Sequence, residues 1–225
     1  MADTSVRWDN VVRFVRQLSH DLRNHLNAIE LQSAFVSELA QDDELKSEIK
    51  RLREMISALT KTLQSVSAKL SAASPNRMAY RASDFMQDLR KRVAQEFRQQ
   101  NAEISWKIDL GDEMIDIDPQ LLPDALLELI RNAFQHGREK DPMTAIARIE
   151  NRRFFFTLCE PKQQFELPTE NWGREPLGSI GYGHYGLGLN RARSIVEAHD
   201  GELQAQYDEA GRRLVTTIAL PLGGK

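Results

Sequence analysis

At 225 residues the chain has room for one large domain or two small ones, and a hydrophobic share of 41% is enough for a packed core. The formal net charge of −3 carries no basic excess, which argues against nucleic acid as the main partner. No apolar run approaches the length of a membrane span and the first residues hold no signal-peptide apolar stretch, so a soluble, cytoplasmic chain is expected.

The first 70 residues contain neither Gly nor Pro. From residue 45 to 70 apolar side chains recur at four-three spacing, as Leu45, Ile49, Leu52, Ile56, Leu59, Leu63, Val66 and Leu70. That is the seam of a coiled coil or bundle. Asp42 and Asp43 stand before it and are suited to cap its start. The preceding segment has a looser seam of Val11, Val15, Leu18, Leu22, His25, Ile29, Gln32, Val36 and Leu39. Two helices joined by a short acidic turn predict an antiparallel hairpin over residues 1–72. Such a hairpin cannot bury both faces alone. A homodimer forming a four-helix bundle is therefore expected, the alternative being a hairpin packed on its own C-terminal domain. His25 falls on the seam and reads as a hydrogen-bonded core or interface group.

Ser71 to Pro75 breaks the repeat, and residues 73–80 read as a linker. Ser83 is placed to cap a helix with Phe85, Leu89, Val93 and Phe97 on one face. Ile104, Trp106 and Ile108 alternate as a strand. Asp118-Pro119 is a helix start signal, and Leu121 to Phe134 follow it with Pro123 tolerated in the first turn. Residues 144–150 and 153–159 predict a hairpin, and residues 160–185 a long loop. Cys159, the only cysteine, rules out an internal disulfide or a cysteine metal site and reads as a small buried hydrophobe. A helix from Leu189 to His199 ends at Gly201, and two last strands flank a turn at Asp208 to Gly211. Strands interspersed with helices over residues 81–225 predict an α/β two-layer sandwich, making the chain α+β as a whole. His184 and His199 read as loop and helix-end residues.

Three short segments carry chemistry. In Leu18-Ser19-His20-Asp21-Leu22-Arg23-Asn24, His20 lies two positions from each flanking Leu, which turns it off the seam toward solvent or a partner. An imidazole with an adjacent carboxylate is a candidate phosphoryl acceptor with its own base, and Asn24 shares its helix face. In Glu128-Leu129-Ile130-Arg131-Asn132-Ala133, Glu128 and Asn132 project from one face, and side-chain oxygens are suitable hard ligands for Mg²⁺. In Gly186-Leu187-Gly188-Leu189, glycines let backbone N–H groups approach phosphate oxygens at the start of a helix. Each segment alone is weak; the order of the three is what counts.

Together they resemble the H, N and second glycine boxes of the two-component sensor histidine kinases, and the resemblance runs from about residue 11 to 222. It implies a dimerising phosphotransfer hairpin followed by a Bergerat-type ATPase domain. It implies that His20 takes phosphate from MgATP, with Asp21 as base and Asn24 orienting water for hydrolysis. Asn132 matches the Mg²⁺-ligating Asn. Glu128 matches a position that is often Asn in the kinases and is a water-activating Glu in the related gyrase-type ATPases. Gln135 stands where many kinases have a phosphate-contacting Lys, and His136 closes the N box. Gly186, Leu187 and Gly188 match the phosphate-binding turn, and Gly181, Gly183, His184 and Tyr185 the end of the lid.

Two departures stand out. The family's Pro after the H-box Thr or Asn is His25 here. The first glycine box, Asp-x-Gly-x-Gly, is replaced by Cys159-Glu160-Pro161-Lys162-Gln163-Gln164, which puts Glu160 at the adenine-binding Asp and removes both glycines. The resemblance implies a histidine kinase core that passes phosphate from His20 to a receiver-domain aspartate of a response regulator, with sensory input from a separate sensor or scaffold protein. The alternative is a degenerate kinase that keeps His20 as a phosphotransfer relay without binding ATP.

Overall fold

The computed structural model describes residues 7–135, 141–165, 169, 170, 172–174, 176 and 186–223. The chain divides into two compact units, Met1–Ser71 and Ala72–Lys225.

The first unit is a hairpin of α1 (Trp8–Leu39) and α2 (Asp43–Lys69). Asp42 caps α2 by accepting the Glu44 N–H at 3.1 Å, satisfying one of the N–H groups left open at a helix start. At the far end, the Arg16 guanidinium donates to the Leu70 carbonyl at 2.9 Å and ties the start of α1 to the end of α2. The face of α1 that meets α2 is not the expected seam. Ser19, Leu26 and Ser33, seven residues apart, are buried, whereas Leu18, Leu22, Ile29, Val36 and Leu39 stay exposed, as does His25. The reason is size: serines at the contact line let the two helices approach closely, and Ser33 satisfies its hydroxyl on the Glu30 carbonyl at 2.8 Å. The seam of α2 splits in the same way. Ile49 and Ile56 are buried, while Leu45, Leu52 and Leu59 remain about half exposed.

In the second unit, β2 (Ile104–Asp109), β4 (Met143–Glu150), β5 (Arg153–Pro161), β6 (Glu202–Asp208) and β7 (Arg213–Pro221) form a sheet of order β2-β4-β5-β7-β6. Only the β2–β4 pair is parallel. The helices α3 (Ala82–Glu96), α4 (Leu121–Gln135) and α5 (Gly188–Ala198) bury their apolar faces with Met143, Ala145, Ala147, Phe154, Phe156, Leu158 and Ile218 in one core. Phe85 of α3 meets Phe154 of β5 edge-on, with ring centroids 6.1 Å apart. Phe85, Leu89, Val93 and Phe97 are all buried, as their spacing requires.

Several boundaries differ from the sequence expectation. Met78 to Tyr80, assigned to the linker, belong to β1 (Met78–Arg81), which pairs antiparallel with β3 (Met114–Ile117) in a separate two-stranded sheet. Four residues without apolar alternation carry no strand signal of their own; the pairing partner supplies it. Ser83 lies inside α3 rather than capping it, because β1 runs straight into the helix and the first N–H, that of Ala82, is taken by the Glu113 carbonyl at 3.0 Å. The β4–β5 turn is made by Asn151 and Arg152 at φ of 49° and 59°, the mirror-image turn that suits the twist of a tight hairpin. After α5, the left-handed residue is Asp200, at φ 57°, not Gly201. Gly201 is needed for a different reason: a Cβ there would stand 2.4 Å from Leu220 Cδ2 and 2.9 Å from the Ala219 carbonyl oxygen. Cys159 is only half-buried, and burial pushes its thiol pKa up.

His199 ends α5, as expected, but it is not a surface residue. It is buried, Nδ1 is 2.7 Å from the Ile195 carbonyl oxygen and Nε2 accepts the Asp118 N–H at 3.0 Å. The ring thus carries its proton on Nδ1 and joins the end of α5 to the start of α4. Asp118 in turn accepts from the Gln120 and Leu121 N–H groups, both at 2.9 Å, and from the Asn76 N–H at 2.8 Å. Its role as helix start is as expected from Asp118-Pro119.

Candidate functional site

His20 follows the buried Ser19 on α1, so one helical step carries it out of the hairpin contact, with its side chain 64% exposed. Its Nδ1 lies 3.2 Å from Asp21 Oδ1. A carboxylate only accepts, so this contact puts the ring proton on Nδ1 and leaves the lone pair on Nε2. Gln17, one turn earlier, donates its amide to the same Asp21 oxygen at 2.8 Å and holds the carboxylate in place. Asn24, one turn later, has Nδ2 3.5 Å from His20 Nδ1; with the ring proton on Nδ1 both atoms are donors, so the two side chains are neighbours without a hydrogen bond between these atoms. His20, Asp21 and Asn24 are therefore brought together on one exposed face. Gln17 belongs to no motif; its four-residue spacing from Asp21 is the only sequence signal for it. Chemically, Nε2 is a nucleophile, and the positive charge that grows on the ring as it attacks falls beside Asp21.

The second group of candidates gathers where α4 meets the start of α5. Glu128, 8% exposed, is bound by Arg131, whose other nitrogen bonds Glu96 of α3. Burial alone lowers the Arg131 pKa, but Glu96 and Glu128 more than offset it and hold the guanidinium above its ordinary value. Gly188 makes room for Glu128: a Cβ on Gly188 would stand 1.8 Å from Glu128 Oε1 and 2.7 Å from its Cδ. Gly186, at φ 61°, adopts a left-handed conformation that glycine takes at no steric cost, and buried Leu187 follows as the residue before the helix. Asn132, on the Glu128 face of α4, has a buried Nδ2 with no hydrogen-bond partner among the described residues. Gln135 ends α4 exposed to solvent. His136 lies outside the described residues, as do Gly181, Gly183, His184 and Tyr185. Arg131 and Glu96 carry roles that no motif assigns, and Glu96 lies 35 residues away in sequence.

Glu160 does not stand open at the end of β5. It is 5% exposed, and Lys162, itself 8% exposed, places Nζ 3.3 Å from its Oε2. Burial pushes the Glu160 carboxyl up, and the ammonium beside it pulls it partly back. The chain beyond the strand folds onto this pair. Lys162 Nζ sits 5.3 Å from the centre of the Phe165 ring, and Phe165 meets Trp172 edge-on at 5.6 Å. The Tyr207 hydroxyl lies 3.0 Å and 2.9 Å from the carbonyl oxygens of Lys162 and Gln163. Trp172 is held in turn, since buried Arg193 of α5 donates to its carbonyl at 2.8 Å.

A nucleotide with its Mg²⁺ fits one part of these residues better than another. The orphaned Asn132 Nδ2 and the glycine turn before α5 are donors that suit phosphate oxygens, while Asn132 Oδ1 is the atom that would hold a metal. The Glu160 carboxylate suits an adenine amino group less well, because Lys162 Nζ stands 3.3 Å from Oε2, although that oxygen makes no hydrogen bond among the described residues.

No protein-family model matches the chain. Among curated proteins it is 30% identical over 127 residues to the sensor histidine kinase SpaK of Bacillus subtilis, covering 54% of this chain and 28% of that protein. It is 25% identical over 205 residues to the adaptive-response sensory kinase SasA of Prochlorococcus marinus, covering 88% of this chain and 55% of that protein. The chain thus spans about half, or less, of the length of these relatives. Among solved structures, full-length ShkA in complex with AMPPNP superposes with a TM-score of 0.71 at 18% identity, covering 95% of this chain and 46% of that one. The hairpin, the sandwich that follows it in the chain and these relatives make the chain a relative of the sensor histidine kinases, with the fold of their hairpin-plus-ATPase core.

Proposed function

We propose that this chain is a phosphohistidine protein of two-component signalling, with His20 as the phosphoryl carrier and a receiver-domain aspartate as its exchange partner. The observation that carries this is the Asp21 carboxylate 3.2 Å from His20 Nδ1, which leaves Nε2 as the nucleophile on an exposed helix face. Asp21 stabilises the imidazolium, Gln17 holds Asp21, and Asn24 orients water for loss of the phosphoryl group. In the kinase form of this reading the donor is MgATP, with Asn132 holding Mg²⁺ and Gly186, Leu187 and Gly188 receiving the phosphates. Glu128, neutralised by Arg131, is a poor candidate for a water-activating base. The relay form, which needs no ATP, is favoured by one observation, the Glu160–Lys162 pair.

The protein acts as a homodimer in this reading. Leu18, Leu22, Ile29, Leu45, Leu52 and Leu59 leave exposed apolar side chains along both helices of the hairpin, and a second copy would bury them in a four-helix bundle. Among the described residues no helix is long and apolar enough to cross a membrane. A cytoplasmic location accords with this role.

Labelling tests it. Incubation with a phosphorylated receiver domain or with labelled MgATP should place an acid-labile phosphate on His20, absent in His20→Gln and present in His25→Gln. Asn24→Ala should slow loss of the label more than its formation. Label persisting in His20→Gln would sink the assignment.

A further inference from the structure

We infer that Arg23 is the cation that binds the phosphoryl group carried by His20, so that the acceptor has a carboxylate for its ring and a guanidinium for its phosphate. This rests on the proposed role of His20 and adds a binding residue to it. Every other arginine of the hairpin finds an oxygen. Arg7 pairs with Asp9 at 3.5 Å, Arg51 with Glu48 at 2.7 Å and Arg53 with Glu30 at 3.9 Å. Arg13 donates to the Asn10 side chain at 3.4 Å and Arg16 to the Leu70 carbonyl at 2.9 Å. Arg23 is the exception: its Nε is buried without a hydrogen-bond partner, and the residue enters no ion pair among the described residues.

The helix sets the place of this guanidinium. Arg23 follows His20 by three residues, a spacing that brings Cβ atoms to about 5–6 Å. At 3.6 residues per turn it stands about 60° round α1 from His20, toward the buried line of Ser19 and Leu26, while Asp21 stands about 100° the other way. Arg23 is half-buried there, and His20 beside it is exposed.

The chemistry asks for a cation on that flank. A phosphoryl group on Nε2 brings roughly two negative charges and three acceptor oxygens. Asp21 favours the imidazolium ring but repels the phosphate, being of like charge. A guanidinium is always protonated, and its planar fork matches phosphate oxygens. A buried N–H without an acceptor is costly, and a charge-assisted bond to a phosphate oxygen removes that cost. With no carboxylate partner among the described residues, Arg23 is spared a competing anion. Loading His20 completes its bonding.

The full chain is labelled with ¹⁵N-arginine and treated with phosphoramidate, which phosphorylates exposed histidines without an enzyme. The ³¹P signal that is missing in His20→Gln identifies the phosphoryl group on His20. The Arg23 Nε–H resonance, assigned by its loss in Arg23→Lys, should move downfield on loading in wild type and stay in place in His20→Gln. The second ionisation of the phosphoryl group, followed by its ³¹P shift against pH, should lie about one unit lower in wild type than in Arg23→Gln, with Arg23→Lys between them. An arginine that merely supports the helix would move neither reading. Should Arg23→Gln fail to fold, the wild-type resonance decides alone. An Arg23 resonance unmoved by loading, or equal phosphoryl ionisation in wild type and Arg23→Gln, would overturn the inference while leaving His20 as carrier. Absence of phosphate on His20, both with phosphoramidate and with a receiver domain phosphorylated by acetyl phosphate, would instead remove the underlying reading.

Discussion

Gly188→Ala offers a direct test of how the α4–α5 junction is built. Gly188 has no left-handed φ, so alanine is acceptable to the backbone there. The obstacle is Glu128. The new methyl would lie 1.8 Å from Oε1, 2.7 Å from Cδ and 3.1 Å from Cγ. A carbon–oxygen contact needs roughly 3.3 Å, so the carboxylate must shift by about 1.5 Å. It cannot shift and keep Arg131. Breaking a fully buried pair costs about 3–5 kcal/mol, but Arg131 is a third exposed and retains Glu96, so we expect about 2 kcal/mol. Alanine's helix preference returns up to about 1 kcal/mol. The net loss should be about 1–2 kcal/mol. In a Glu128→Ala background the clashing atoms are gone, and Gly188→Ala should become neutral or slightly stabilising. Urea unfolding followed by circular dichroism on wild type, both single variants and the double variant gives the coupling energy. Effects that add to within about 0.5 kcal/mol would refute the packing argument, because contacting residues must couple.

Two further outcomes follow from other parts of the molecule. Leu52→Glu with Leu59→Glu should turn a dimer into a monomer in light scattering, since two charges per chain would be buried without partners in the bundle; an unchanged dimer would place the interface elsewhere. Asp118→Ala should cost about 1–2 kcal/mol, the usual worth of a helix cap, while Asp118→Asn retains part of it. Burial pushes the Asp118 carboxyl up, but the Leu121, Asn76 and Gln120 N–H groups outweigh burial and lower its pKa. The folded value lies below the unfolded one. Its contribution is therefore present above the ordinary aspartate pKa and is lost as pH falls through the lowered value. Acid titration of wild type and Asp118→Ala should converge at the low end; a constant gap would contradict the capping role.

Periodicity and local chemistry carried most of what the sequence alone made legible. The absence of Gly and Pro and the repeat from Leu45 to Leu70 determined two helices, and Asp42 and Asp118 determined where two of the helices begin. These signals are local: a cap bonds N–H groups two or three residues away, and a helix face is set by spacing within its own segment. For the same reason His20, Asp21 and Asn24 were readable as one constellation, and so were Glu128 and Asn132. What needed the tertiary structure was every contact between distant residues. Only packing decided that α1 turns Ser19, Leu26 and Ser33 to α2, because close approach favours the small side chains over the larger seam. Only the pairing with Met114–Ile117 made a strand of Met78–Arg81. Buried His199 gained its role from Asp118, 81 residues before it. Glu160 was legible as a departure from a motif, but its contact with Lys162 was not: two charges two positions apart in a strand and its exit meet only where the chain beyond the strand turns back and buries both.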